Sequence, residues 1–157
     1  MLPKKPSASQ WQQELSQAFT SLEEICQVLN LPSLSLDDKK LAQKAAQDFK
    51  LLVPRHFVSL MQPNNPNDPL LLQVLPQSAE MQQVAGFTSD PLGEAAANPL
   101  AGVIHKYKNR LLLTASGACA VNCRYCFRRH FPYQDNSLSR KEFTKVLDYI
   151  KSQPAIN

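Results

Sequence analysis

Glycine and tryptophan are scarce: the 157 residues hold 4 Gly and 1 Trp. So few glycines, beside 12 prolines, exclude a collagen-like repeat and a flexible Gly-rich linker. No stretch approaches the roughly 20 apolar residues of a membrane span. Met1 to Gln10 carries two lysines with no apolar run behind them. No membrane partner and no secretory leader are therefore expected, and the thiols should be reduced in a cytoplasmic protein. Acidic residues are thin in the second part of the chain. Residues 101–157 hold 10 Lys+Arg against 3 Asp+Glu, whereas residues 1–100 hold 7 against 10. A 43% apolar share still provides for a core. The length falls short of a closed (β/α) barrel, which takes about 250 residues.

The apolar spacing predicts a helical region over residues 1–100 ending in an irregular connector. Ser9 and Gln12 read as a capping box. Trp11, Leu15, Phe19, Leu22, Cys26 and Leu29 then recur every three or four residues, as one stripe of a single amphipathic helix ending near Pro32, with Cys26 as a core thiol. A second helix starts at Ser35 or Asp37 and buries Leu41, Ala45 and Phe49. Pro54 opens a short third helix carrying Phe57, Val58, Leu60 and Met61. Asp68-Pro69 caps a fourth, Leu70 to Leu75. From Pro76 to Leu100, prolines and glycines without periodicity mark the connector.

Residues 101–157 change character. Arg110-Leu-Leu-Leu-Thr114 lacks alternation, as in a strand buried on both faces of a parallel sheet. A cysteine loop follows, and Ser137 or Ser139 opens a helix with Phe143, Val146, Leu147 and Ile150 on one face. Strand, loop and helix make one βα unit, and ligands of such units gather at the C-terminal end of the strand. The fold class is α/β.

The loop reads Cys119-Ala-Val-Asn-Cys123-Arg-Tyr-Cys126, a C-x3-C-x2-C pattern. A structural zinc site is usually closed by four protein ligands. A [4Fe–4S] cluster on three thiolates keeps one iron open to a small molecule. Two rivals share these residues: a small zinc module with His130 as fourth ligand, and a nucleic-acid module in which Arg124, Tyr125, Phe127, Arg128, Arg129, Phe131 and Tyr133 interleave cations with stacking groups. Nucleic acid is the weaker of the two, because a charged barrel mouth has the same composition.

The C-x3-C-x-aromatic-C loop after a strand resembles that of radical S-adenosylmethionine enzymes. The flanks, His105-Lys-Tyr-Lys-Asn-Arg110-Leu-Leu-Leu and Phe127-Arg-Arg-His-Phe-Pro-Tyr133, are similar to the lysine 2,3-aminomutase family, as are Val53-Pro-Arg-His-Phe57, Asn67-Asp-Pro-Leu70 and Gly86-Phe-Thr-Ser-Asp-Pro-Leu92. Within that family they are most similar to the branch that supplies (R)-β-lysine for modification of elongation factor P. The resemblance implies that Cys119, Cys123 and Cys126 hold a [4Fe–4S] cluster whose open iron binds S-adenosylmethionine, with Tyr125 beside the adenine. It implies that Lys106, Tyr107 and Arg110 lie near pyridoxal 5'-phosphate, although lysine at 106 and 108 is only partly family-like, and that Arg128 pairs with the carboxylate of the substrate lysine. Lysine would be converted to β-lysine by a radical mechanism, with a functional link to elongation factor P and its ligase. Glutamate and arginine aminomutases share the chemistry, and the flanks favour lysine.

The resemblance further implies a partial (β/α) barrel of which this chain supplies only the helical N-terminal region and the first βα unit. No catalytic residue is assignable within the chain. The Schiff-base lysine is expected beyond Asn157, in a longer enzyme or a missing C-terminal polypeptide; a homo-oligomer is a further expected assembly, and the chain alone is expected to be inactive.

Overall fold

The computed structural model describes residues 8–33 and 35–156, with Ala8 and Ser9 as backbone only. The chain divides into two compact units: residues up to Val84 together with Cys119–Cys126, and Ala85–Ala118 together with Phe127–Asn157. Among the described residues no helix is long and apolar enough to cross a membrane.

Unit 1 is helical: α1 (Ala8–Ser16), α2 (Leu22–Val28), α3 (Leu36–Asp48), α4 (Arg55–Ser59) and α5 (Leu71–Val74), then a 3-10 turn over Ser78–Met81. The single long helix expected over Trp11 to Leu29 is two. The chain leaves α1 after Ser16, and Phe19 pairs with Val53 through two backbone hydrogen bonds of 2.8 and 3.0 Å. That bridge seats both side chains in the core with Ile25, Leu29, Leu51, Val58, Met61, Leu71 and Val74. Burying Phe19 and Val53 outweighs one more helical turn, because helix stability comes chiefly from the packing of an apolar face. Ser9 lies inside α1, and its side chain is outside the described residues, so the Ser9–Gln12 cap is not described. Trp11 is half exposed. Cys26 is half-buried rather than a core thiol; it lines a cleft with Leu22, Glu23 and Lys39, and burial pushes its pKa up.

Caps read from sequence match the start of α3. Ser35 accepts the Asp38 N–H at 3.1 Å. The buried face of α3 is Ala42 and Ala45, with Leu41 exposed. Asp68, itself buried, accepts the N–H groups of Leu70 and Leu71 through Oδ1 (2.8 and 3.0 Å) and that of Gln62 through Oδ2 (3.0 Å). These donors hold its carboxyl below the usual range, the Gln62 N–H most strongly. A depressed folded pKa stabilises the fold above the unfolded value of about 3.9, and that stability is lost as pH falls through the lower folded value. Asp68→Asn should therefore lower Tm at neutral pH and flatten the acid limb of a Tm-against-pH curve. An acid limb equally steep in both proteins would remove this role.

Unit 2 holds β1 (Val103–Tyr107), β2 (Arg110–Leu113) and α6 (Arg140–Lys151). The expected strand forms, but its setting differs. It pairs antiparallel with β1 in the register Val103↔Leu113, Ile104↔Leu112 and Tyr107↔Arg110. Its residues alternate between exposed and half-buried rather than lying buried on both faces. The two-residue turn Lys108-Asn109 returns the chain at once, so a neighbour adjacent in sequence takes one edge. The described structure is thus helical with a two-stranded antiparallel sheet, and the sheet is not a parallel one.

Ser139 and Glu142 form a full capping box at the start of α6. Val146 is buried, and Tyr149 meets His105 of β1 with its hydroxyl 2.7 Å from Nδ1. Asn136 is the buried polar hub of the unit. Its Oδ1 accepts the Gly102 N–H (2.9 Å) and Asn98 Nδ2 (2.6 Å), and its Nδ2 donates to the Pro132 carbonyl (3.0 Å).

Candidate functional site

The cysteine loop belongs to unit 1 and is fixed on both sides of Cys123. On one side the Asn122 N–H donates to the Leu52 carbonyl (3.0 Å) and its Nδ2 to the Lys50 carbonyl (2.8 Å). On the other the Arg124 N–H donates to Gln73 O at 2.7 Å. Val121 packs against the apolar core. The Arg124 side chain is buried. Its Nη2 meets Glu80 Oε2 at 2.6 Å, Nε meets Oε1 at 3.0 Å, and Nη2 and Nη1 donate to the carbonyls of Ala45 (2.9 Å) and Phe49 (2.6 Å) where α3 ends. The guanidinium also lies 5.1 Å from the centroid of the Phe49 ring. A cation is favoured there by the partial negative charge at the C-terminal end of a helix.

All three loop thiols are free, with Cys119 exposed and Cys123 and Cys126 half-buried. The Cys126 N–H donates to the Cys123 carbonyl at 3.0 Å, closing a tight turn between them. Tyr125 is exposed; a hydrogen bond with Cys123 and then the charge of the neighbouring sulfurs push its pKa up. Three reduced, solvent-reachable sulfurs with no competing disulfide are a donor set that fits an iron–sulfur cluster. Among the described residues no group of three His, Cys, Asp or Glu is already gathered around a metal position, so a cluster held by these thiols would have to draw them together.

In unit 2 the structure collects the other expected residues. Lys106, Tyr107, Arg110 and Arg128 line one groove of about 360 Å³ with Leu92, Glu94 and Leu111. Arg110 lies over the Tyr107 ring, 4.5 Å from its centroid, and Lys106 Nζ donates to the Leu92 carbonyl. Three cations against one carboxylate suit an anionic ligand, phosphate above all. Arg128 is held by Glu94 in a fork, Nη2 to Oε1 at 2.7 Å and Nε to Oε2 at 2.9 Å. Asp90 fixes the backbone under this pair by accepting the N–H groups of Glu94 (2.8 Å) and Ala95 (2.9 Å). Glu94 and Arg128 also line a second cavity, about 460 Å³, with Phe127, His130 and Asp135. His130, the expected fourth zinc ligand, is exposed on that cavity wall.

Sequence reasoning missed Glu80, Glu94 and the buried role of Arg124. The ion pairs span 44 and 34 residues. The only signal was Glu80 standing as the one charge between Asp68 and Asp90; Glu94, four residues after Asp90, had none. These pairs also bear on the nucleic-acid reading, since Arg124 and Arg128 are both engaged with carboxylates.

No family model matches the chain. It is 42% identical, over 99% of its length, to L-lysine 2,3-aminomutase of Haemophilus influenzae, covering 46% of that protein. It is 41% identical over 97% of its length to L-lysine 2,3-aminomutase of Escherichia coli, covering 44% of it. A more distant relative with the same name, from Clostridium subterminale, is 29% identical over 93% of this chain. The chain spans a little under half the length of these two relatives. Over nearly all of its residues the chain is thus homologous to proteins named L-lysine 2,3-aminomutase.

Proposed function

We propose that this chain is the cofactor-holding part of a cytoplasmic lysine 2,3-aminomutase that converts α-lysine to (R)-β-lysine for the modification of elongation factor P. The observation that carries the reading is the free-thiol C-x3-C-x2-C loop in a chain whose relatives bear that name. Cys119, Cys123 and Cys126 would hold a [4Fe–4S] cluster, with Tyr125 beside a bound S-adenosylmethionine. Lys106, Tyr107 and Arg110 would hold pyridoxal 5'-phosphate. When bound, these groups supply one-electron chemistry and an electron sink, and the protein supplies position and charge.

The residues of unit 2 divide that work. The Arg110 guanidinium and Lys106 ammonium are the donors for a phosphate, and the Tyr107 ring beneath Arg110 keeps its plane fixed. Arg128 is the donor for the substrate carboxylate. Its fork is already formed on the Glu94 carboxylate, so a ligand carboxylate would exchange with that of Glu94 at the same nitrogens.

The test is anaerobic reconstitution of the full chain with ferrous iron and sulfide. The wild type should turn brown with matched iron and sulfide, and the triple variant Cys119→Ala/Cys123→Ala/Cys126→Ala should bind neither. A triple variant that retains both, or a wild type that takes up zinc and no iron, would overturn the cluster assignment.

A further inference from the structure

Residues around Cys123 are held more firmly than a surface loop requires. Three residues of unit 1 outside the loop converge on it through Arg124: Glu80 through its carboxylate, Ala45 and Phe49 through their carbonyls, and Phe49 again through its ring. Asn122 is tied to Lys50 and Leu52, just beyond α3. The residues immediately before and after Cys123 are thus both fastened to the segment where α3 ends. A residue that served only the interior of unit 1 would have no reason to stand between two of three closely spaced thiols.

We infer that Arg124 is a positioning residue, clamped by Glu80 and the end of α3, that fixes the backbone of the cysteine loop so that Cys123 and Cys126 are presented for ligand binding. The fixing of the loop stands on the contacts above; its consequence for a cluster rests on the function proposed for the loop. Preorganisation matters here because the thiols must still be drawn together. Each backbone torsion already fixed is entropy that binding does not have to remove. Arginine suits the task where lysine does not, since its planar fork meets the Glu80 carboxylate and two carbonyls at once.

The experiment is residue-resolved amide hydrogen exchange on the full chain without metal, followed by iron loading of the same proteins. Three variants are compared with the wild type: Arg124→Met, Arg124→Lys, and Arg124→Met/Glu80→Leu. The last removes both charges, so that neither is stranded and the unit stays folded. The amides of Asn122 and residue 124 should exchange roughly tenfold faster in the double variant, the signature of local opening. Those of Phe19 and Val53, which hold the core bridge, should keep their wild-type rates. Iron uptake should fall in parallel, and Arg124→Lys, which keeps the charge and loses the fork, should lie between. A double variant with unchanged exchange at Asn122 and residue 124 overturns the inference, as does one whose loop is loosened but which loads iron at the wild-type rate. A wild type with slow loop exchange and no iron uptake supports the anchoring and overturns the cluster reading instead.

Discussion

Replacing Glu80 by leucine should destabilise unit 1 by about 3–5 kcal/mol, the usual consequence of stranding one member of a buried ion pair. Arg124 and Glu80 have side chains only 6% and 14% exposed. Without the carboxylate, the guanidinium keeps its bonds to the Ala45 and Phe49 carbonyls but loses the Glu80 charge at a site with little water. Glu80 also accepts the Gln77 N–H at 2.9 Å, and losing that contact adds about 1 kcal/mol. Adding Arg124→Met to Glu80→Leu should recover most of the loss, because hydrophobic replacement of a whole buried pair is often neutral or better. Urea denaturation measures both, with the lone tryptophan, Trp11 of α1, reporting on unit 1. Glu80→Leu should shift the midpoint downward at constant slope. A single variant as stable as the wild type, or a double variant worse than the single, would mean that the pair is not desolvated as described.

Local signals survived the passage from sequence to structure, and long-range ones did not. Ser35, Asp68 and Ser139 start their helices because each cap acts within three residues, by bonds that a sequence spells out. The break between α1 and α2 could not be read. Trp11, Leu15, Phe19 and Leu22 keep helical spacing straight through it, and no proline or glycine marks the turn; the partner that decides it, Val53, lies 34 residues away in sequence. The run Leu111 to Leu113 was legible as a strand but not for its neighbour, because Lys108-Asn109 lacks the glycine that usually announces a two-residue hairpin. At the site, the thiol motif and the cations that line one groove were visible in the sequence, their roles only as a family likeness. Their carboxylate partners were not, since an ion pair over such separations leaves no periodic trace.

Gly102→Ala should be the most damaging single methyl added to unit 2. Gly102 sits at φ +77°, where an L side chain is strained, and a Cβ built there would lie 2.5 Å from Leu138 Cδ2 and 2.7 Å from its Cγ. The backbone has no easy escape. Its N–H donates to the buried Asn136 at 2.9 Å, and its carbonyl accepts the Thr114 N–H at 2.8 Å beside the first hairpin pair. Left-handed strain costs about 1–3 kcal/mol, and forcing a methyl into filled space about the same again. The two contributions can be separated. Gly86, at φ +88°, has open space where a Cβ would go, so Gly86→Ala carries strain alone. Gly102→Ala/Leu138→Ala removes the clash and keeps the strain. Amide exchange at His105, bonded to Ala97 O within the same unit, should be fastest in Gly102→Ala and slower in the double variant, with thermal midpoints in the reverse order. Equal stability of Gly102→Ala and Gly86→Ala would show that Leu138 yields without cost. Full recovery in the double variant would show instead that the left-handed backbone at 102 carries no penalty.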